Sequence, residues 1–203
     1  VEEMAKGLRE RERLRDMFGK YMATQVVQDL LDKGELSLAG ELREVSVVIT
    51  DIRGYTALTE QLGAAEVVAL LNEYFSILVD VVIKQDGVID KFMGDALLCW
   101  FGAPVPQADH VARAIAAAES MLVRTGAWNA DRVARGLPAV PTGIGIATGH
   151  VVVGNIGSPQ RLEYTAIGDA VNLASRLCGQ AAAGEILVSN AMHKGALAAG
   201  YEA

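Results

Sequence analysis

Two apolar stretches, each reaching an aspartate, constrain the fold of this chain more than any other feature. In one, the β-branched run Val47–Thr50 leads directly into Asp51; in the other, Met93-Gly94-Asp95 separates the apolar runs Val88–Phe92 and Ala96–Phe101. β-Branched and apolar runs of this length predict buried strands. A carboxylate at the end of a buried strand is costly unless it is paired or binds a metal ion. The sequence therefore predicts strands that carry carboxylates to one edge of a sheet.

Hydrophobic periodicity predicts a mixture of helices and strands along the rest of the chain. This mixture, with two turns suited to antiparallel hairpins, favours an α+β fold over a doubly wound parallel sheet. We therefore expect an antiparallel sheet with flanking helices. The predicted helices span 56–85, 108–135 and 170–178, and the predicted strands span 43–50, 88–92, 96–101, 143–148, 151–155 and 185–188.

The first 33 residues predict a highly charged helix that precedes a domain over residues 34–203. Met4, Leu8, Phe18 and Met22 fall on one side of that helix and form an imperfect heptad seam. This pattern is compatible with a parallel coiled coil that joins two chains, and also with a solvated amphipathic helix. Both interpretations remain open at this point.

Composition excludes several classes of function. The net charge of −7, with 21% charged residues, leaves no broad basic surface for a nucleic acid. Cys99 and Cys178 lie in apolar runs, which predicts two buried free thiols in a reducing compartment. The sequence shows no signal-peptide pattern and no apolar run of about 20 residues. We expect no membrane contact by this segment and a cytoplasmic location, including as the cytosolic portion of a membrane-anchored protein.

The two aspartates suggest metal-dependent chemistry on a phosphate compound. Mg²⁺ takes oxygen ligands, commonly one or two carboxylates plus substrate phosphates. Two ions about 3.5–4 Å apart can serve the attacking and the leaving oxygen of a phosphoryl displacement. The backbone N–H groups of Arg53–Thr56 could cradle phosphates, with Gly54 allowing close approach. The alternatives are that Asp51 only caps a helix and that Asp95 only forms a turn.

A third polar element follows at residues 163–177. Asn172 and Arg176 are four residues apart on a predicted helix and therefore share a face. An amide beside a guanidinium suits hydrogen bonding to a ribose or base and pairing with phosphate charge. A solvated polar stripe is the alternative.

Together these segments resemble the class III adenylyl and guanylyl cyclase catalytic domain over roughly residues 44–189. The resemblance implies a ferredoxin-like (palm-like) sheet, and residues 18–22 are similar to the helical transducer segment that precedes many bacterial cyclase domains. An upstream sensor domain in the parent protein is therefore expected. The segments that carry the resemblance stand in the family's order: Thr50–Thr56, Lys91–Asp95, Gly149–Gly157 and Tyr164–Arg176.

By this resemblance, Asp51 and Asp95 bind two Mg²⁺ or Mn²⁺ ions, and Ile52 adds a backbone carbonyl. One ion activates the ribose 3′-hydroxyl and the other holds the β- and γ-phosphates. The 3′-oxygen attacks the α-phosphorus and pyrophosphate leaves, which gives the 3′,5′-cyclic nucleotide. Arg176 matches the family's transition-state arginine, and Asn172 matches the asparagine that orients the ribose. Arg53, Gly54, Tyr55 and Thr56 match the phosphate-binding segment.

Base selection falls, by the same resemblance, to Lys91 and Thr165. A lysine at the first position accepts adenine by donating to ring N1, whereas guanine N1 carries a hydrogen and would meet the ammonium donor to donor. Such an unpaired contact costs ~1–3 kcal/mol. Thr165 discriminates less, because a hydroxyl can donate or accept. The resemblance therefore favours ATP and cyclic AMP, in the Lys/Thr subgroup of bacterial-type adenylyl cyclases, over a guanylyl cyclase.

The resemblance also implies a head-to-tail dimer. Asp51 and Asp95 come from one subunit, and the other subunit supplies Lys91, Thr165, Asn172 and Arg176. Because this chain retains both sets, we expect a homodimer with two equivalent sites. A catalytically silent regulatory or dimerisation module is the alternative. The sequence stops at Glu202-Ala203, before the strand pair whose lysine contacts the terminal phosphates in the family, so we expect reduced substrate affinity.

Overall fold

A computed structural model describes residues 40–158 and 160–201 of the chain. The predicted helical linker over residues 1–33 lies outside the described residues. Within them, the chain forms these elements: β1 (Glu41–Ile52), α1 (Tyr55–Thr59), α2 (Ala64–Lys84), β2 (Val88–Met93), β3 (Ala96–Phe101), α3 (His110–Ala134), β4 (Thr142–Ser158), β5 (Arg161–Ile167), α4 (Asp169–Gln180), β6 (Ile186–Val188) and α5 (Asn190–Ala198).

All described strands belong to one sheet with the order β2-β3-β1-β4-β5, and β6 pairs with β4. Every described pairing is antiparallel except that of β6, which runs parallel to β4 after the chain has crossed through α4. The predicted α+β class, with an antiparallel sheet and flanking helices, is confirmed. The short parallel edge is a feature that the sequence reasoning did not include.

The sheet is covered on both faces because side chains of a strand point alternately to opposite sides. Along β1, Val48 and Ile52 join a core cluster with α2 and α3. Val45, Val47 and Ile49 join a second cluster that includes α4 and the paired strands β4 and β5. A run of β-branched residues without polar alternation therefore forms the central strand, which is buried on both faces.

Two predicted elements differ from the structure. The helix expected over 56–85 is divided into α1 and α2 at Gly63, whose extended backbone begins α2 and donates its N–H to Glu66 over 2.7 Å. The strands expected over 143–148 and 151–155 are one continuous strand, β4. The chain passes through Gly149 and His150 without a turn, because both residues pair with β1, at Val45 and Glu44.

Two elements were not predicted, and one prediction about the cysteines is confirmed. β5 was read only as the approach to a helix, and α5 was not assigned; α5 begins at Ser189, whose hydroxyl accepts from the N–H of Met192 over 3.2 Å. Cys99 and Cys178 are both buried and free. No helix of the described part of the chain is long and apolar enough to span a membrane.

Gly145 allows α4 to pack directly against β4. A Cβ at this position would overlap the backbone of Ala174 and Cys178. The absence of a side chain therefore sets how closely the helix that carries Asn172 and Arg176 approaches the sheet.

We expect Gly145→Ala to destabilise the domain, because the added methyl forces α4 away from β4. The free energy of unfolding should fall by about 1–3 kcal/mol, as in other overpacked cores. Gly126→Ala in α3 is the matched control, since a Cβ there meets nothing within 4 Å. That control should gain about 0.5–1 kcal/mol from better helix propensity. Urea denaturation measures both, and equal effects would contradict the packing argument.

Candidate active site

Asp51 and Asp95 lie together at one end of the central strand. Asp51 is the penultimate residue of β1, and Asp95 lies in the turn that joins β2 and β3. The antiparallel pairing of β1 with β3, which includes Thr50 opposite Leu97, brings that turn to the end of β1. The backbone N–H of Ile52 donates to Asp95 Oδ2 over 3.1 Å. These two aspartates are called the carboxylate pair below.

The electrostatics of the carboxylate pair suit a cation. Partial burial and the adjacent Asp51 carboxyl group raise the pKa of Asp95 to about 6, because two negative charges in contact repel each other. A hard divalent ion would relieve that repulsion. Among residues 40–158 and 160–201 there is no cluster of three or more His, Cys, Asp or Glu side chains that could hold a metal ion. The donor set thus fits an ion whose remaining ligands come from substrate phosphates and water, as is usual for Mg²⁺.

The segment after the carboxylate pair begins α1. Gly54 has a left-handed backbone, with φ of 73°, and a Cβ on it would meet nothing within 4 Å. Its backbone is therefore accessible, and Tyr55 and Thr56 form the first turn of the helix. The side chain of Arg53 contacts Asp51 and Cys178. Its Nη2 donates to Asp51 Oδ2 over 2.6 Å and approaches Cys178 Sγ at 3.7 Å. Arg53 thus neutralises part of the charge of the carboxylate pair.

Lys91 on β2 and Thr165 on β5 lie in a second polar cluster, each beside an acidic residue. Lys91 Nζ donates to Glu163 Oε2 over 2.7 Å and lies 3.7 Å from Asp90 Oδ1. Thr165 Oγ1 donates to Asp90 Oδ2 over 2.6 Å. These four residues, Asp90, Lys91, Glu163 and Thr165, are called the Lys91 cluster. It contains both residues to which the family resemblance assigned base selection.

The Lys91 cluster joins strands from opposite ends of the sheet order, because β4 is much longer than its neighbours. The first part of β4 pairs with β1, while residues 152–158 pair with β5. The paired ends of β4 and β5 fold back over the face that carries Trp100, whose ring centroid lies 6.4 Å from that of Tyr164. This curl places Glu163 and Thr165 against β2.

Sequence reasoning missed Asp90 and Glu163. The pairing of β2 with β3 shifts register between Ile89 and Lys91, so Asp90 occupies a bulge that turns its side chain inward. That side chain is only 1% exposed. A charged residue between the apolar ends of a predicted strand was the available signal for Asp90, whereas Glu163 lies in β5, a strand that was not predicted.

Charge pairing within the Lys91 cluster shifts several pKa values. The hydrogen bond to Glu163 raises the pKa of Lys91, and the same bond lowers the pKa of Glu163. Burial raises the pKa of Asp90, although the hydrogen bond from Thr165 and the charge of Lys91 oppose the shift. Lys91 is therefore firmly charged and a hydrogen-bond donor at neutral pH.

Asn172 and Arg176 are exposed on the outer side of α4. The opposite side of the helix buries Ala170, Ala174 and Cys178 against the sheet. Within the described part of the chain, neither polar side chain is hydrogen-bonded or paired with the carboxylate pair or the Lys91 cluster. Both are thus available to a ligand or to another chain.

Comparison with known proteins identifies the family. The chain belongs to the adenylate and guanylate cyclase catalytic domain family, whose sequence model matches residues 38–202. It is therefore a nucleotide cyclase catalytic domain, of a class that binds nucleotides, dimerises and generally uses divalent metal ions.

The chain is also similar to individual cyclases of known structure and to an uncharacterized mycobacterial protein. It is 40% identical to the guanylyl cyclase Cya2, with a TM-score of 0.74 over 78% of this chain and 81% of that one. It is 35% identical to the adenylyl cyclase CyaB from P. aeruginosa, with a TM-score of 0.76 over 79% of this chain and 84% of that one. The protein Rv1320c of Mycobacterium tuberculosis is 45% identical over 175 residues, which are 86% of this chain and 29% of the length of that protein.

The repulsion within the carboxylate pair predicts a pH-dependent effect of Asp95→Asn on the metal-free protein. The pKa of Asp95 is raised from 3.8 in an unfolded chain to about 6 in the fold, so wild-type stability is lost as pH rises through that window. The variant does not titrate there and keeps its hydrogen bond from Ile52. Its melting temperature should exceed that of the wild type at pH 8, by about 2–4 °C for each kcal/mol relieved.

The difference between the two proteins should shrink at pH 4, where Asp95 of the wild type is largely protonated. Differential scanning calorimetry in the presence of a chelator measures both values. Glu119→Gln, on the exposed side of α3, serves as the control for loss of one negative charge. A difference of equal size at pH 4 and pH 8 would contradict the proposed repulsion.

Proposed function

We propose that this chain is an adenylyl cyclase that converts ATP to 3′,5′-cyclic AMP and pyrophosphate. The observation that carries the proposal is the Lys91 cluster, in which a charged lysine and Thr165 both contact the carboxylate of Asp90. The ammonium of Lys91 can donate to adenine N1, which is an acceptor, but not to guanine N1, which carries a hydrogen. A mismatched donor of this kind costs about 1–3 kcal/mol.

A guanylyl cyclase is the second candidate, because Cya2 is described as one and is 40% identical to this chain. CyaB, described as an adenylyl cyclase, is nearly as similar at 35% identity. Overall similarity therefore does not separate the two substrates, and the choice depends on which groups face the base. A silent regulatory module is disfavoured, since Asp51, Asp95, Asn172 and Arg176 are all present.

In this proposal the carboxylate pair, with the backbone carbonyl of Ile52, holds two Mg²⁺ or Mn²⁺ ions. Such ions supply charge stabilisation at the reacting oxygens and phosphates. Asp51 and Asp95 provide the anionic ligands, and Ile52 fixes Asp95 through its N–H. The open backbone of Gly54, Tyr55 and Thr56 offers N–H groups to the phosphates, while Arg53 balances the charge of Asp51.

Asn172 and Arg176 complete the site from a second copy of the chain. Asn172 orients the ribose so that its 3′-hydroxyl faces the α-phosphorus. Arg176 donates to the negative charge that develops on the phosphoryl oxygens in the transition state, where fixed donors contribute most. Their exposure and lack of described partners on α4 support this role. Two copies related by a twofold axis then form two equivalent sites.

The proposal includes a longer parent protein of which this chain is one part. The 175 residues of the chain that match Rv1320c cover 29% of the length of that protein, and the family match begins after the charged segment over residues 1–33. We propose that this segment links an upstream sensor domain to the cyclase domain and sets how two copies face each other. A Leu14→Pro variant that kept wild-type dimerisation and rate would contradict that role.

Turnover of ATP and GTP with Mn²⁺ tests the substrate. We expect cyclic AMP as the main product, and loss of about a hundredfold or more of the rate in Asp95→Ala and Arg176→Ala. Glu119→Ala, on the exposed face of α3, should leave the rate unchanged. Product identity is read by chromatography against both cyclic nucleotides. Cyclic GMP as the main product would favour the guanylyl cyclase, and no cyclic product from a dimer would favour the silent module.

Mixing two inactive variants tests the shared site. Asp95→Ala and Arg176→Ala chains combined in equal amounts should regain about a quarter of wild-type activity, because half of the dimers are mixed and each has one intact site. Asp51→Ala mixed with Asp95→Ala is the control and should regain none, since every site then lacks a carboxylate. Failure of the first mixture, in chains that do exchange, would contradict the head-to-tail arrangement.

A further inference from the structure

Asp90 is a buried carboxylate to which the proposed reaction gives no task. Its side chain is 1% exposed and lies in β2, whose residues other than Asp90 and Lys91 are apolar. Burial of a carboxylate is costly unless hydrogen bonds and nearby charge compensate for it. Asp90 has two such contacts, from Thr165 Oγ1 at 2.6 Å and from Lys91 Nζ at 3.7 Å. Both contacts are with residues that the proposed function places against the purine base.

The bulge in β2 makes these contacts possible. The register shift between Ile89 and Lys91 leaves Asp90 unpaired with β3 and directs its side chain under the curled end of β5. Bulges commonly re-aim a side chain next to an active site. The backbone of β2 therefore sets the position of Asp90, and the β4–β5 pairing places Thr165 within hydrogen-bond distance of it.

The hydrogen bond fixes the direction in which the Thr165 hydroxyl points. An ionised carboxylate only accepts hydrogen bonds, and a hydroxyl has one hydrogen to give. The separation of 2.6 Å lies in the range of about 2.5–2.7 Å that is typical of hydroxyl-to-carboxylate bonds. Burial raises the pKa of Asp90, whereas the hydrogen bond from Thr165 and the ammonium of Lys91 both favour its charged form. Thr165 Oγ1 then has only lone pairs to offer to a ligand.

We propose that Asp90 is a positioning residue that turns Thr165 into an obligate hydrogen-bond acceptor and so selects 6-amino purines over 6-oxo purines. This inference rests on the proposed function, because it assumes that the purine contacts Lys91 and Thr165. The 6-amino group of adenine donates, whereas the 6-oxo group of guanine accepts. Guanine would thus meet the Thr165 lone pairs acceptor to acceptor, and Lys91 donor to donor.

The resulting pattern explains how Thr165 can discriminate between bases although a free hydroxyl cannot. Lys91 presents a donor to the ring nitrogen and Thr165 presents an acceptor to the exocyclic group, which matches adenine at both points. With Asp90 replaced by Asn, the amide offers both a donor and an acceptor to Thr165. The hydroxyl can then rotate and donate to a 6-oxo group. The preference for adenine over guanine should therefore become smaller but should not reverse.

Equilibrium binding measures the effect of Asp90 on base selection independently of the catalytic step. The α,β-methylene analogues of ATP and GTP, which cannot cyclise, are titrated into the full chain with Mn²⁺ by isothermal calorimetry. We expect Asp90→Asn to lower the ratio of ATP-analogue to GTP-analogue affinity by about five- to twentyfold, chiefly through tighter binding of the GTP analogue. Turnover of ATP and GTP by the same proteins should show the shift in KM more than in kcat.

Two variants of Thr165 distinguish positioning from a general structural effect. In a Thr165→Ala background, Asp90→Asn should change the affinity ratio by less than about twofold, because no hydroxyl remains to be oriented. Thr165→Ser keeps the hydroxyl and should restore the full effect. The inference is overturned if Asp90→Asn leaves the ratio unchanged, weakens both analogues equally, or acts equally with and without the Thr165 hydroxyl.

The product made by the wild-type protein tests the proposed function separately from the role of Asp90. Cyclic GMP as the main wild-type product would overturn the adenylyl cyclase proposal, while a shift of the affinity ratio in Asp90→Asn would still support the role of Asp90. Cyclic AMP production with no shift in Asp90→Asn would support the function and overturn the inference. Failure of both analogues to bind the wild type would overturn both.

Discussion

The antiparallel pairing of β1 with β3 is the constraint on which the candidate site depends. It brings the β2–β3 turn to the end of β1, where the N–H of Ile52 binds Asp95 beside Asp51. Partial burial and the nearby Asp51 carboxyl group raise the pKa of Asp95 to about 6. A fold that forces two like charges together at the end of its central strand is poised to bind a cation there, and the core on both faces of β1 supplies the stability that holds them.

The second constraint is the length of β4. Because β4 continues beyond β1 and carries β5 back across the sheet, Thr165 reaches Asp90 and Glu163 reaches Lys91. The sheet therefore carries two separate polar sites on one chain, the carboxylate pair and the Lys91 cluster. Asn172 and Arg176 occupy a third place on α4, exposed to solvent. This separation is consistent with the proposal that two copies share each site.

Much of the fold could be predicted from the sequence. The hydrophobic pattern alone is enough to assign four elements. These are the β-branched strand before Asp51, the two strands around Gly94 and the Ala-rich helix α3. The break at Gly63 was missed because the apolar spacing continues across it. β4 was divided wrongly because Gly149 and His150 look like a turn in sequence, whereas long-range pairing with β1 keeps them extended.

The candidate site could be predicted only in part, for a similar reason. Residues that end strands or share a helix face, such as Asp51 and Asn172, can be recognised by local spacing. Asp90 is visible in the sequence only as a charge within a predicted strand, since its orientation depends on a bulge in β2 and its partner Thr165 lies 75 residues away along the chain. Contacts between elements that are distant in sequence leave no local pattern, so the groups that orient Lys91 and Thr165 are visible only in three dimensions.

The most direct test of the central claim is anomalous diffraction from crystals grown with Mn²⁺ and the α,β-methylene analogue of ATP. The account predicts two manganese peaks bound by Asp51 and Asp95, with Lys91 and Thr165 of a second copy at the adenine edge and Arg176 of that copy at the phosphates. Manganese bound elsewhere, or a nucleotide contacted by one copy alone, would contradict it.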